Sequence, residues 1–443
     1  MKHDHSGRLL CCLCLLLCLV PLAVFLVSGP ARAGANERLS ARPKLLRGGV
    51  PNADVLSETA DYFNDHFGLR QELITANAAL QAGLFRESAS DDVILGQDGW
   101  LFYAGTLDDY QGTAPMSGRA IWCAARNLAL MQRAAQAQET DFLFVAAPNN
   151  NTICPSQLPT QTEQADGPSN LDRLLGALDA QQVAYCDVRP ALLSAAQLCY
   201  YRTDSHWNGY GSALAHDAVM QALGRDAALH EEAFTLAPHT GDLYEMLYPA
   251  GRRQEEAPAL ARSRSFTYAG EVRGPDDVRL DTVSETGTGT LFMFRDSFGN
   301  ALHADLAEDF AAAAFSRQKP YDLSLAADAD VLIVELVERN LHELAQQAPV
   351  LTAPQPESPP DTPEPSGTLA VSAEESSLPG LTHYQGMFDE VQPDTDSPVY
   401  VCLDGTYYEA CPTENGFSLH APAAESVSVW FVCHGRSTLL SAE

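Results

Sequence analysis

A serine, a histidine and an aspartate stand in contexts that suit acyl chemistry. Ser297 lies in FRDSFGN (294–300), after an apolar run and before a helix-like segment. Asp204 and His206 lie two apart in YYRTDSHWNGYGSALAHDAVMQAL (200–223), again ahead of a helix-like segment. A serine hydroxyl is a poor nucleophile at neutral pH and needs an adjacent base to take its proton. Histidine is that base in a Ser-His-Asp set, where a carboxylate fixes the imidazole tautomer and stabilises the imidazolium. A serine at a helix start also has backbone N–H groups nearby that can hold an oxyanion. The same residues have a plainer use. Serine and aspartate before a helix commonly cap it, and a histidine there serves as a surface or metal-binding residue. Neither D-x-H nor D-S-x-G chooses between these uses alone. An α/β body that brings both loops to one sheet edge favours a site. Asp204, His206 and His303 are a metal-ligand set by type, but no spacing demands a metal. No metal or cofactor is expected.

The elements that must position these residues alternate between strand-like and helix-like segments. DFLFVAAP (141–148), VAYCDV (183–188), TLFMFRD (290–296), AAAAFSR (311–317) and VLIVELV (331–337) are apolar runs of strand length. Segments 118–139, 168–182, 207–224 and 298–309 have helical character between them. Such alternation predicts a mostly parallel sheet covered on both faces, an α/β fold. Ligand sites of these sheets lie beyond the carboxyl ends of strands. That selects the loops PNNNT, RDSFGN and ERN. Upstream, 58–83 reads as one amphipathic helix, and VILGQDGWLFYAG (93–105) as a hairpin around Gln-Asp-Gly.

The formal charge of −31, from 58 acidic against 27 basic residues, argues against binding a nucleic-acid backbone. An apolar content of 46% is enough for a real core. Residues 9–28 carry no charge and are long enough to span a bilayer. Lys2 and Arg8 precede them, and Ala31-Arg32-Ala33 after them resembles a small-x-small cleavage site. The segment is a cleaved signal peptide or a signal anchor. Arg32, Arg38, Arg42, Lys44 and Arg47 beyond it run against the positive-inside rule, and export is still preferred. Cys11, Cys12, Cys14 and Cys18 sit inside the run. The other seven cysteines show no C-x-x-C metal spacing, and Cys402 with Cys411 is a candidate local bridge. Residues 352–366, TAPQPESPPDTPEPS, read as a semi-extended linker. The expected organisation is a membrane segment (1–34), a main domain (45–348), a Pro/acidic linker (349–378) and a small β-rich module (379–443).

Six stretches occur in order: FNDHFGLRQELI (63–74), ILGQDGWLFYAG (94–105), VAAPNNNTICPSQLP (145–159), YYRTDSHWNGYG (200–211), FMFRDSFGN (292–300) and VLIVELVERNL (331–341). Together they resemble the SGNH hydrolase-like family of alginate O-acetyltransferases (AlgJ/AlgX-like) and its DHHW-type bacterial envelope relatives, over about residues 45–345. The resemblance implies a flavodoxin-like α/β/α sandwich outside the cytoplasm, either anchored by residues 9–28 or secreted. It implies transfer of acetyl groups onto, or their removal from, polysaccharide hydroxyls, often beside a multipass membrane O-acyltransferase. Carried over residue by residue, Ser297 matches the family's nucleophile, His206 its base and Asp204 the acid that orients the base.

Four departures stand out. The DHHW block reads Asp204-Ser205-His206-Trp207, with serine for its first histidine. Asn150 stands where relatives often have lysine, and Cys154 where they often have an aromatic. Arg295 stands where ordinary SGNH enzymes have glycine, and is expected to bind a polar substrate group or to pair with Glu338. Asn149, Asn151, Tyr210, Asn300 and Arg339 are further substrate or oxyanion candidates, although turn contacts explain asparagines equally well. The function expected is an envelope or exopolysaccharide O-acetyltransferase working through an acetyl-serine. The alternatives are a carbohydrate acetyl esterase with the same three residues, and a non-catalytic envelope scaffold.

Overall fold

The computed structural model describes residues 4–29, 39–358, 360–361, 363–389 and 391–443. The cleavage-like Ala31-Arg32-Ala33 stretch, and Arg38, lie outside them. Seven strands form the main sheet: β1 (Asp141–Ala147), β2 (Tyr185–Asp187), β3 (Phe266–Tyr268), β4 (Arg279–Ser284), β5 (Thr290–Phe294), β6 (Ala312–Ser316) and β7 (Val331–Val337). Their order is β2-β1-β7-β5-β6-β4-β3. The first five run parallel, and β4 and β3 add antiparallel at the edge.

Strand alternation divides the core. Leu143, Val145, Met293, Ile333 and Val337 face one layer, while Phe142, Phe144, Phe292, Phe294, Leu332 and Val334 face the other. Helices cover both faces, as a parallel sheet of near-continuous apolar strands requires. The chain therefore has an α/β/α sandwich with a mostly parallel sheet.

Seven helices matter here: α1 (Asp4–Ser28), α2 (Val55–His66), α3 (Arg70–Leu84), α4 (Gly118–Gln136), α5 (Asn170–Gln181), α6 (Gly209–Ala222) and α7 (Gly299–Leu306). The helix expected over 58–83 is in fact two. The chain turns at Phe67-Gly68-Leu69, where Leu69 adopts φ 61°. α4 and α5 pack on one face of the sheet, and α6 and α7 contribute to the core of the other.

α6 and α7 follow the two chemistry-bearing loops, so their mutual packing fixes the loops' spacing. Ser212 of α6 donates to the buried Asp305 of α7. His216 bridges Asp217 and Asp309, at 2.9 and 2.6 Å. The two carboxylates outweigh the effect of burial and raise the His216 pKa to about 9, so at neutral pH it is a buried cation between acids.

The C-terminal module is a sandwich of a five- and a four-stranded sheet. It begins before the expected boundary of 379, because strands at Thr368–Leu369 and Val371–Glu375 already belong to it. The proline-rich segment is not free either. Thr352 bridges to His420, and Glu409 N–H donates to the Pro354 carbonyl. The module is keyed to α4, whose Arg126 and Arg133 meet the buried Glu409. Cys402 and Cys411 are free thiols in different sheets, so the local bridge does not form.

Candidate active site

Ser297, His206 and Asp204 meet at the carboxyl edge of the sheet. Ser297 follows β5, and the Glu338-Arg339-Asn340 turn follows the neighbouring β7. Ser297 Oγ lies 2.8 Å from His206 Nε2, and His206 Nδ1 lies 2.7 Å from Asp204 Oδ1. A carboxylate opposite Nδ1 keeps the proton there, which leaves Nε2 to accept from the serine.

Capping does not claim either residue. The cap of α6 is Asn208, whose side chain accepts from the N–H groups of Tyr210 and Gly211. Asp204 instead accepts from the His206 and Asp242 N–H groups and from two imidazoles. Ser297 stands two residues before α7 and makes no side-chain cap bond to it. Its own N–H has no partner among the described residues and is free to meet an oxyanion.

The neighbours of Ser297 are held with equal care. Asp296 accepts from the Phe298 and Val337 N–H groups, which ties the serine turn to β7. The Trp207 indole N–H donates to the Phe298 carbonyl, linking the two loops. A side chain at Gly299 would sit 2.6 Å from Arg295 Cβ and 3.1 Å from a Glu335 oxygen, so only glycine lets α7 start here.

Sequence reasoning missed His239. Its Nε2 donates to the second oxygen of Asp204, at 2.8 Å, and its ring stacks on Tyr201 with centroids 3.7 Å apart. It comes from a hairpin (Phe234–His239 with Glu255–Leu260) that carries no motif. Asp242 lies beside it, accepting from Ser205 N–H and Oγ, with an oxygen 3.6 Å from His206 Nδ1. Burial alone would raise the Asp204 pKa. The hydrogen bonds from His206 and His239 outweigh it and hold the carboxyl well below the usual range. Burial likewise works against a charged His206, but Asp204 and then Asp242 overcome it and raise its pKa above the ordinary 6.5. Asp242 is pushed up, by burial first and then by the Asp204 charge.

His239 is therefore a positioning residue. We expect His239→Ala to lower kcat about tenfold with little change in KM, the effect of losing one hydrogen bond to a charged group. His239→Gln, which keeps an N–H donor, should recover part of that loss in steady-state ester hydrolysis. Equal rates for both variants and wild type would remove this role.

Asp204, His206 and Asp242 offer ligand-type atoms within 4.8 Å of one another. His206 Nδ1 and the Asp204 carboxylate are already joined to each other, which is the geometry of a proton relay. His303 is elsewhere, buried with its ring nitrogens on the Asn300 carbonyl and the Tyr268 hydroxyl.

The relay opens into a cleft of about 900 Å³, lined among others by Tyr103, Tyr201, Met246, Asn300, Arg317, Arg339 and Asn340. That volume suits an extended organic ligand. Of the six further candidates, Asn300 and Arg339 line it. Arg339 lies over the Phe298 ring at 5.4 Å and meets Asn149 Oδ1 at 3.4 Å. It pairs with no carboxylate among the described residues.

The other four candidates are elsewhere. Asn149 and Asn151 line a separate cavity of about 110 Å³ together with Glu338. Asn149 N–H donates to Glu338, whose carboxyl is pushed up to about 6 by burial. Tyr210 is packed in the core, edge-on to Phe234. Arg295 is 0% exposed and neither reaches the cleft nor pairs with Glu338. It donates to the carbonyls of Pro275 and Asp277 and to Asn300, and so props the loop opposite α7. Arg295→Leu should cost on the order of 3 kcal/mol in a urea titration, by stranding those acceptors. A loss within 0.5 kcal/mol, the range of an ordinary surface substitution of about that size, would contradict a propping role.

A mostly parallel sheet with helices on both faces, and with Ser297, His206 and Asp204 at its carboxyl edge, fits the SGNH hydrolase-like class. Residues 93–278 match the family model described as SGNH hydrolase-like domain, acetyltransferase AlgX. Over that stretch the chain is similar to the SGNH hydrolase-like acetyltransferase domains of AlgJ/AlgX-like proteins. It is 27% identical over 294 residues to the probable alginate O-acetylase AlgJ of Pseudomonas syringae pv. tomato, covering 61% of this chain and 71% of that one. Among solved structures it is similar to the O-acetyltransferase domain of Pseudomonas putida AlgJ, at 19% identity and a TM-score of 0.38 over 56% of this chain and 92% of that one. It is also similar to Bacillus cereus PatB1 (15%, 0.44, 55% and 95%). A DHHW family protein from Eubacterium siraeum is a further likeness (13%, 0.43, 58% and 94%).

Proposed function

We propose that this enzyme is an extracytoplasmic polysaccharide O-acetyltransferase that works through an acetyl-serine. The observation that supports this reading most is the unbroken Ser297–His206–Asp204 relay at the sheet's carboxyl edge, open to a large cleft. Ser297 Oγ attacks the donor's acetyl carbonyl while His206 Nε2 takes its proton. The Ser297 N–H meets the oxyanion, with Arg339 and Asn340 lining the same cleft. His206 returns the proton to the leaving group, and Ser297 holds the acetyl. A glycan hydroxyl then attacks, His206 takes that proton, and the ester passes to the sugar as Ser297 is reprotonated.

The name of its relative, a probable alginate O-acetylase, supports an alginate-like polysaccharide acceptor, and we infer a multipass membrane O-acyltransferase as the partner on the donor side. Residues 9–28 serve as the anchor in this reading. The test is a chromogenic acetate ester with and without oligouronate acceptor. We expect acetylated oligosaccharide and a faster release of the chromophore with acceptor present. Free acetate alone, at a rate the acceptor does not change, would favour the esterase reading.

A further inference from the structure

α2 carries an apolar stripe that the described residues leave uncovered, apart from Phe25 of α1 at Phe63. Leu56, Ala60, Phe63 and Phe67 fall at spacings of three and four, one apolar stripe. Yet α2 has no buried residue, and Leu56 is 83% exposed. α4 shows what the same kind of pattern does when it has a core to meet, burying twelve of its nineteen residues.

The segment before α2 behaves like α2 itself. It is strapped along the helix by Ser40 on Asp65 and Arg47 on Glu58. It reads RPKLLR over 42–47, so the basic charge of this surface lies on the strap: Arg47 is paired with Glu58, Arg42 and Lys44 are exposed, and α2 itself carries Glu58, Asp61 and Asp65 on its polar side. Leu45, Leu46 and Val50 on it are also exposed.

The elbow between α2 and α3 says where this surface lies. Gly68 sits against α1, where a side chain would come within 2.7 Å of the Pro21 carbonyl, Val24 Cβ and Phe25 N. Phe25 and Phe63 meet edge-on at 6.0 Å. The bilayer-length stretch of α1 runs from Gly7 to Val27. Contacts at Pro21, Val24 and Phe25 thus fall two to six residues short of its end, or roughly 3–9 Å along a helix rising 1.5 Å per residue. Amphipathic helices that lie in a membrane interface sink about 5–10 Å into it. The elbow reaches that depth.

The geometry points to a second membrane contact: α2 and its 42–47 strap lie flat on an anionic phospholipid surface, beside the point where α1 leaves the bilayer. This rests on α1 being kept as an anchor. Leu56 and Phe63 dip among the acyl chains, while Arg42 and Lys44 meet lipid phosphates. The catalytic cleft is then held at a fixed height above the membrane.

The test uses the full chain in phosphatidylcholine vesicles with about one-third phosphatidylglycerol, a strongly anionic surface. Phe63→Trp reports the elbow, Leu56→Trp the far end of α2, and Val391→Trp the C-terminal module, each against the wild-type tryptophan signal. We expect both α2 probes to be quenched by lipids brominated high on the acyl chain and shielded from iodide, with Val391→Trp the reverse. Quenching at Phe63→Trp but not at Leu56→Trp would mean a helix standing off the surface, and would overturn the proposal. Shielding that appears only when a membrane-protein fraction is added would overturn it in favour of a protein partner. The intact mass of the vesicle-bound chain reads the anchor separately. Loss of α1 overturns the anchor reading, whereas retained α1 with iodide-accessible probes overturns only the flat α2.

Discussion

We expect Ser297→Ala to abolish acetyl release, lowering kcat by about 10⁴-fold or more, as removal of the nucleophile does in serine relays. Among the described residues Ser297 Oγ has one side-chain partner, His206 Nε2 at 2.8 Å, and no role in capping α7. Its removal therefore takes away the nucleophile and little else. The fold should stand, because the turn is held by Asp296 and by the Trp207 bond to the Phe298 carbonyl, which alanine leaves intact. An unchanged urea midpoint with lost turnover is the expected pair of results. A variant that turns over at wild-type rate would refute the nucleophile assignment.

The second large effect falls on Asp204. Asp204→Asn should drop kcat by about 10⁴-fold, because an amide no longer fixes the imidazole tautomer. Its pH profile carries the more specific information. In the native protein Asp204 and Asp242 raise His206 above its ordinary pKa. A base must be neutral to act, so activity should climb with pH through a midpoint above 6.5. Asparagine at 204 removes the nearer negative charge, so the residual activity should climb at lower pH than in wild type. A midpoint that stays in place would mean that Asp204 does not set the base. The substitution also unburdens Asp242, whose pKa is raised in part by the Asp204 charge. Asp242 then ionises more readily, and some of the downward shift in His206 should be offset.

Much of this was legible because apolar runs report strands directly. DFLFVAA, TLFMF and VLIVELV are buried on both faces, so they stand out from the polar loops between them. The antiparallel strands β3 and β4 were not legible. RLDTVS over 279–284 alternates as a half-exposed strand does and carries no continuous run. The break at Gly68-Leu69 interrupts an otherwise continuous helical pattern, and nothing local demands it except the close approach of α1.

The site divides in the same way. Ser297, Asp204 and His206 were found because two of them are near in sequence and the third ends a strand. Arg295 was misplaced because adjacency to Asp-Ser is not adjacency to the cleft. It continues the alternation of β5 on the Met293 side and turns inward, beside Glu335. Tyr210 was misplaced for the equivalent reason on a helix, since the first turn of α6 packs against the core. Asn208 was overlooked as the cap of α6, which left Asp204 with a competing use that it does not have. His239 had no signal at all. It lies thirty-odd residues past His206 in an exposed hairpin, and only the fold carries it to Asp204.

The central claim is that Ser297 carries the acetyl group between donor and acceptor. It is tested most directly by acid-quenching the full chain during turnover of an acetate ester and mapping the acetyl by peptide mass. The account predicts one added acetyl on the peptide that contains Ser297, which disappears when oligouronate acceptor is supplied before the quench. Steady turnover with Ser297 unmodified at every time point, and the acetyl found on another residue or on none, would contradict it.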